Sequence, residues 1–204
     1  MKWSEYLEQF DAILNKTLTT APYNDPQYYE YTRLNQTRMK RWLKTSVLDG
    51  ALLQLLRNIA EKQHWILITE PWCGDAAHLA PFIYLMSAEN PLIDLEIQLR
   101  DSGSEIDSYL TGNGKAIPKL IVRNAAGQDV FVWGPRPQAA QDFFLALKSG
   151  TKTMEEQKAE LQQWYNQDKG QHIQEEFRAW LQKAAAVLDS APSHTPKPLD
   201  APIG

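Results

Sequence analysis

The stretch HWILITEPWCGDA at residues 64–76 decides the fold. Residues 64–69 form a short apolar run that contains aromatic and β-branched side chains, which is typical of a buried strand. Helical spacing follows over residues 76–87, so the chain's single cysteine, Cys73, stands where the strand gives way to a helix. The first turn of a helix presents unpaired N–H groups and the positive end of its dipole, and this position therefore favours a thiolate.

More elements of the same kind follow along the chain. The pattern predicts three further strands, over residues 92–99, 118–122 and 130–133, with a turn at 124–129 that joins the last two as a hairpin. A short helix is predicted over 104–110, and another runs to about residue 148. The order β-α-β-α-β-β-α predicts an α/β fold with a central mixed four-stranded sheet flanked by helices.

Helical extensions are predicted at both ends of this α/β unit. Helices at 3–18, from about 26 and from 49 place residues 1–60 in an N-terminal extension packed on the core, and residues 61–150 form the central domain. Helices at 154–167 and 173–188 make residues 151–189 a C-terminal hairpin, and the proline-rich residues 190–204 are expected to be a disordered tail. The hairpin's apolar face is expected to pack against the domain or a second copy of the chain; it comprises Leu161, Trp164, Phe177, Trp180 and Leu181.

Composition excludes several classes of protein. The 204 residues are 43% hydrophobic and 23% charged, which excludes wholesale disorder. The net charge of −4 gives no electrostatic footprint for a nucleic-acid duplex, and no apolar run approaches the roughly 20 residues of a membrane span. The first residues show no signal-peptide pattern, and one cysteine cannot form an internal disulfide, so a cytoplasmic location is expected. The four histidines are scattered, and no metal site is expected.

The residues around the cysteine carry a resemblance to a known family. Residues 72–76, W-C-G-D-A, match the thioredoxin motif W-C-x-x-C in all but the last position, and Ile117–Pro118 matches the isoleucine and cis-proline that thioredoxins set against the active-site cysteine. The chain resembles more closely a bacterial group of thioredoxin family proteins with extra N-terminal helices, over roughly residues 1–150. That resemblance is carried by YTRLN at 31–35, RMKR at 38–41, SYLT at 108–111, IPKLI at 117–121 and WGPRP at 133–137.

The resemblance implies a thioredoxin-like fold with helical N- and C-terminal extensions. It also implies that Cys73 is the catalytic nucleophile. The implied substrate groove is lined by Trp72, Gly74, Asp75, Ile117 and Pro118.

The departure from the motif changes the expected chemistry. Thioredoxins use the second cysteine to release the reduced substrate, and here that position is Ala76. The sequence therefore favours a monothiol thiol-disulfide oxidoreductase, in which Cys73 takes on a mixed disulfide that an external thiol resolves. The expected partner is a protein or small-thiol disulfide, with a low-molecular-weight thiol as co-reductant and no other cofactor; a homodimer is a further candidate assembly. The alternative is a redox-inactive protein-interaction module in which Cys73 is a remnant.

Other features of the pattern leave alternatives open. The Asp75 carboxylate opposes a thiolate, since two like charges about 7 Å apart cost on the order of 2 kcal/mol at an effective dielectric of 20, which offsets much of the helix contribution. Trp72 either shields the thiol and contacts a partner or covers the core edge. The basic run of Arg38, Lys40, Arg41 and Lys44 either binds an acidic thiol cofactor or is a solvated helix face.

Overall fold

Four strands form one mixed sheet, as the sequence predicts. This computed structural model describes residues 1–190, and the side-chain surroundings of residues 1–186. The strands are β1 (Gln63–Thr69), β2 (Ile93–Leu99), β3 (Lys119–Arg123) and β4 (Asp129–Trp133). The strand order is β2-β1-β3-β4. β1 pairs with β2 in parallel, whereas the β1–β3 and β3–β4 pairs are antiparallel, which confirms the predicted hairpin.

Seven helices surround the sheet over the described residues. They are α1 (Trp3–Leu14), α2 (Pro26–Thr45), α3 (Gly50–Arg57), α4 (Gly74–Ala88), α5 (Gln138–Lys148), α6 (Met154–Asp168) and α7 (Gln171–Ser190). None of these helices is long and apolar enough to cross a membrane.

The central strand β1 divides the core into two clusters. Trp65 and Leu67 point to the larger cluster, where they meet side chains of the helices. Ile66 and Ile68 point to a smaller cluster on the opposite face, which contains Cys73. The alternation follows from the two-residue period of a strand, and it explains why the whole run had to be apolar.

The C-terminal hairpin packs on the domain, as its apolar face predicts. Phe177 is fully buried, and its ring lies 5.8 Å from that of Trp65 and 5.7 Å from that of Trp133. Trp180 stacks on Phe131 with ring centroids 4.3 Å apart. These contacts give the aromatic side chains of the extension a partner within the same chain.

The same hairpin is fixed to the domain by a carboxylate. One oxygen of Glu176 accepts a hydrogen bond from the Trp133 indole N–H, and the other accepts one from the backbone N–H of Gln138, both at 2.6 Å. Gln138 is the first residue of α5, whose N-cap, Pro137, offers no side-chain acceptor. Glu176 therefore supplies the acceptor that the start of α5 lacks.

Several predicted boundaries were wrong by a few residues. α1 ends at Leu14 rather than at residue 18, because Lys16 adopts a left-handed backbone (φ 59°) and the N–H groups of Thr17 and Leu18 fold back onto the Ala12 carbonyl. The helix predicted over 104–110 is a single 3₁₀ turn, Glu105–Ser108. The predicted disordered tail, 190–204, lies outside the described residues apart from Ser190.

Candidate functional site

Cys73 is the N-cap residue of α4, at the point where β1 has turned into the helix. The residue is only 7% exposed, and its thiol donates a hydrogen bond to the Ile117 carbonyl oxygen at 3.4 Å. The Ile117–Pro118 peptide bond is cis, as predicted. The structure thus brings the cysteine and the strand that follows Pro118 together, although they are far apart along the chain.

The surroundings of the sulfur favour the protonated thiol. Burial, with a further contribution from the Asp75 carboxylate, raises the pKa of Cys73 to about 12. Hydrogen bonds from the backbone N–H groups of Asp75 and Ala76 lower that pKa, as does the nearby charge of Arg136, but they do not outweigh burial. The sequence leaves open whether the helix or the Asp75 carboxylate has the larger effect on the pKa of Cys73. In the structure, the low polarity around the sulfur is the main cause of the raised pKa.

Asp75 is held by two partners from distant parts of the chain. Arg136 binds Asp75 Oδ2 at 2.6 Å, and the Tyr165 hydroxyl donates to Oδ1 at 2.9 Å. The two charged side chains are only 15% and 11% exposed, so this is a largely buried ion pair. The carboxylate beside the cysteine is thus compensated by a cation and a hydroxyl, and it is not a free charge that faces the sulfur alone.

His78 belongs to a separate hydrogen-bonded group and does not pair with the cysteine. The Trp42 indole N–H donates to Nδ1 of His78 at 2.9 Å, so the ring carries its proton on Nε2 and donates it to Gln162 Oε1 at 2.8 Å. Burial lowers the pKa of His78 to about 3, which keeps the ring neutral. The histidine therefore has no role as a base for Cys73.

Helix α6 closes over the beginning of α4. A Cβ atom on Gly74 would lie 3.4 Å from the Gln162 side-chain nitrogen, and Tyr165 reaches Asp75 from the same helix. The sequence did not identify Arg136, Gln162 and Tyr165 as neighbours of the site. Arg136 does stand in the WGPRP segment, but no sequence pattern links α6 to the cysteine.

Trp72 covers the smaller core cluster beside Cys73. Its ring and that of Tyr28 are nearly perpendicular, with centroids 5.6 Å apart, and the Arg100 guanidinium lies 4.7 Å from the Trp72 ring centre. The Trp72 indole N–H is enclosed and has no hydrogen-bond partner among the described residues. Trp72 therefore shields the core, and the Arg100 guanidinium on its ring places a cation at the edge of the site.

Gly134 lies against the backbone of Pro118. It has a φ of +111°, and a Cβ there would lie 2.3 Å from the Pro118 carbonyl oxygen. Because backbone atoms form this contact, no side-chain rotation relieves it. Only glycine fits this position.

We expect Gly134→Ala to destabilise the protein by about 1–3 kcal/mol more than Gly103→Ala, as measured by urea denaturation. Gly103 also has a positive φ, +80°, but open space surrounds its missing side chain, so that variant reports the backbone strain alone. Equal losses in the two variants would contradict the close approach of Gly134 and Pro118.

A family model described as thioredoxin matches residues 23–154. The chain belongs to the thioredoxin family. The match includes Cys73, the Ile117–Pro118 segment and Arg136. It leaves out the whole of α1 and α7 and all of α6 except its first residue.

Two solved structures share the fold of this thioredoxin family member. One is an HIV epitope-scaffold with 18% identity and a TM-score of 0.55. The other is a protein of unknown function from Pseudomonas aeruginosa with 19% identity and a TM-score of 0.53. Each alignment covers 90% of this chain and 99% of the other chain, so the likeness in fold extends beyond the residues that the family model matches. No similar sequence is found among curated proteins.

Proposed function

We propose that this thioredoxin-family protein is a protein-interaction module that keeps Cys73 as a protonated thiol, and not a disulfide reductase. One observation supports the proposal: the sulfur is enclosed, and its S–H group donates a hydrogen bond to the Ile117 carbonyl oxygen. A thiolate is the nucleophile in thiol–disulfide exchange, and a thiol whose pKa is raised to about 12 is almost entirely protonated at neutral pH. Ala76 removes the second thiol of a dithiol cycle.

The face that binds a partner is the edge formed by Trp72 and Arg100. The Trp72 side chain is partly exposed, and Arg100 stacks on its ring while the Arg100 guanidinium pairs with Asp101. Aromatic and arginine side chains of this kind anchor many protein interfaces. The occupant that fits is a protein segment with an acidic or polar group for the arginine.

Monothiol exchange is the second candidate, and a specific observation favours it. The backbone N–H groups of Asp75 and Ala76 and the charge of Arg136 all stabilise a thiolate on Cys73. In that cycle the thiolate attacks a disulfide, one product leaves as a thiolate, and an external thiol then restores Cys73 by a second exchange. For this cycle the binding of a disulfide has to open the enclosure around the sulfur.

A binding experiment with matched variants separates the two functions. Partners captured by the full chain are expected to be retained by Cys73→Ser, to withstand reductant, and to be lost with Arg100→Ala. Arg57→Ala is the control, because it removes an arginine that makes a similar surface ion pair, with Glu89, away from the site. Loss of the same partners in Cys73→Ser, or their release by dithiothreitol, would support monothiol exchange instead.

A further inference from the structure

A groove of about 500 Å³ lies where the C-terminal ends of α2 and α6 meet, apart from the Cys73 site. Its lining includes Arg41, Trp42 and Ser46 from the end of α2 and Asn166 and Lys169 from the end of α6. Val47, which is 81% exposed, forms an apolar rim.

The lining of this groove is positively charged. It contains two cationic side chains, Arg41 and Lys169, and no carboxylate, and neither cation takes part in an ion pair among the described residues. The neighbouring Asp168 has a side chain only 3% exposed, and it pairs with His172 and the backbone of the α6–α7 turn. The two helix ends contribute at most about half a negative charge each, which is less than the two full positive charges opposite them.

Arg41 is fixed in a position that leaves much of its guanidinium available. Its Nη2 donates to Asn166 Oδ1 at 2.6 Å, and its Cζ lies 4.4 Å from the centre of the Trp42 ring. A guanidinium has five N–H donors, so this single side-chain hydrogen bond leaves a pair of neighbouring N–H groups free to bind two oxygens of an anion. The other basic residues of this run that are exposed, Lys40 and Lys44, do not line the groove.

Ser46 adds an unpartnered hydroxyl to the same groove. Its Oγ is enclosed and has no hydrogen-bond partner among the described residues. Buried polar groups are normally paired, and an enclosed hydroxyl without a partner at the wall of a groove therefore points to a ligand that supplies one. The groove thus combines a planar fork, a point charge and a hydroxyl, a set of donors that suits the oxygens of a phosphate group.

We propose that this groove binds a small molecule that carries a phosphate group. The phosphate lies between Arg41 and Lys169 within reach of the Ser46 hydroxyl, and the organic part of the ligand packs on Val47. This groove is separate from the proposed interaction face at Trp72, so the failure of one proposal would not affect the other.

The test uses the full chain labelled with ¹⁵N and titrated with phenyl phosphate, with benzoate as the carboxylate comparison. Phenyl phosphate is expected to bind with a dissociation constant below about 1 mM and to shift the Trp42 indole resonance, while benzoate binds at least tenfold more weakly. Arg41→Gln and Lys169→Asn are each expected to weaken binding at least tenfold; asparagine tolerates the left-handed backbone of Lys169, φ 52°.

Lys40→Gln is the matched control, because it removes one positive charge from the same helix outside the groove. Binding within twofold of the wild type in this control, together with the loss in Arg41→Gln, supports the site. Equal weakening in Lys40→Gln and Arg41→Gln would show general attraction to a basic surface and overturn the proposal. If the Trp42 indole resonance does not shift at phenyl phosphate concentrations up to about 10 mM, the proposal is also overturned.

Discussion

Replacing Arg136 with methionine is expected to lower the free energy of unfolding by about 3–5 kcal/mol. Methionine has a comparable length, so the main change is that the Asp75 carboxylate loses its cation while it stays 11% exposed. A charge left in such surroundings without its partner costs far more than the loss of a surface ion pair. Urea denaturation followed by circular dichroism measures the difference.

Two variants serve as controls for this prediction. Arg57→Met breaks an ion pair whose arginine side chain is 60% exposed, and we expect a loss of at most about 1 kcal/mol. The double variant Arg136→Met/Asp75→Asn removes the stranded charge and is expected to recover part of the loss. If Arg136→Met is as stable as Arg57→Met, water reaches the Asp75 carboxylate. That result would contradict the description of Asp75 and Arg136 as a buried ion pair.

The central part of the fold follows from the sequence because its signals are local. The apolar run 64–69 had the length and flanks of a buried strand, and the cysteine after it marked the start of a helix. Cys73 and the Ile117–Pro118 pair were recognisable because short motifs carry them. The first helix was predicted too long, since the left-handed turn at Lys16 has no glycine or asparagine to announce it.

The partners of the site were harder to predict because they come from distant segments. Tyr165 meets Asp75 across 90 positions of the sequence, and Gln162 meets His78 across 84. Both lie on α6, whose spacing predicts an apolar face that packs on the domain or on a second copy of the chain but does not identify the residues that this face meets. The degree of burial around the sulfur is likewise a property of the packed molecule. From the sequence, the effects of the helix dipole and of the Asp75 carboxylate on the pKa of Cys73 oppose each other, and burial decides the outcome.

Asp75 affects the thiol as well as stability. Since its charge raises the pKa of Cys73, Asp75→Asn is expected to lower that pKa while leaving it above about 8.5, because burial remains the larger cause. This variant separates the electrostatic contribution from that of burial.

The rate of Cys73 alkylation by iodoacetamide, measured against pH in the folded and the urea-unfolded chain, tests most directly whether the fold holds this thiol protonated. The unfolded chain should titrate near pH 8.5, whereas the folded chain should show no plateau up to pH 10. At pH 7.5 a pKa of about 12 gives the folded chain a rate about three thousandfold lower than that of the unfolded chain. A folded-state midpoint at or below pH 8.5, with a rate equal to or above that of the unfolded chain, would contradict the account and establish Cys73 as an activated nucleophile.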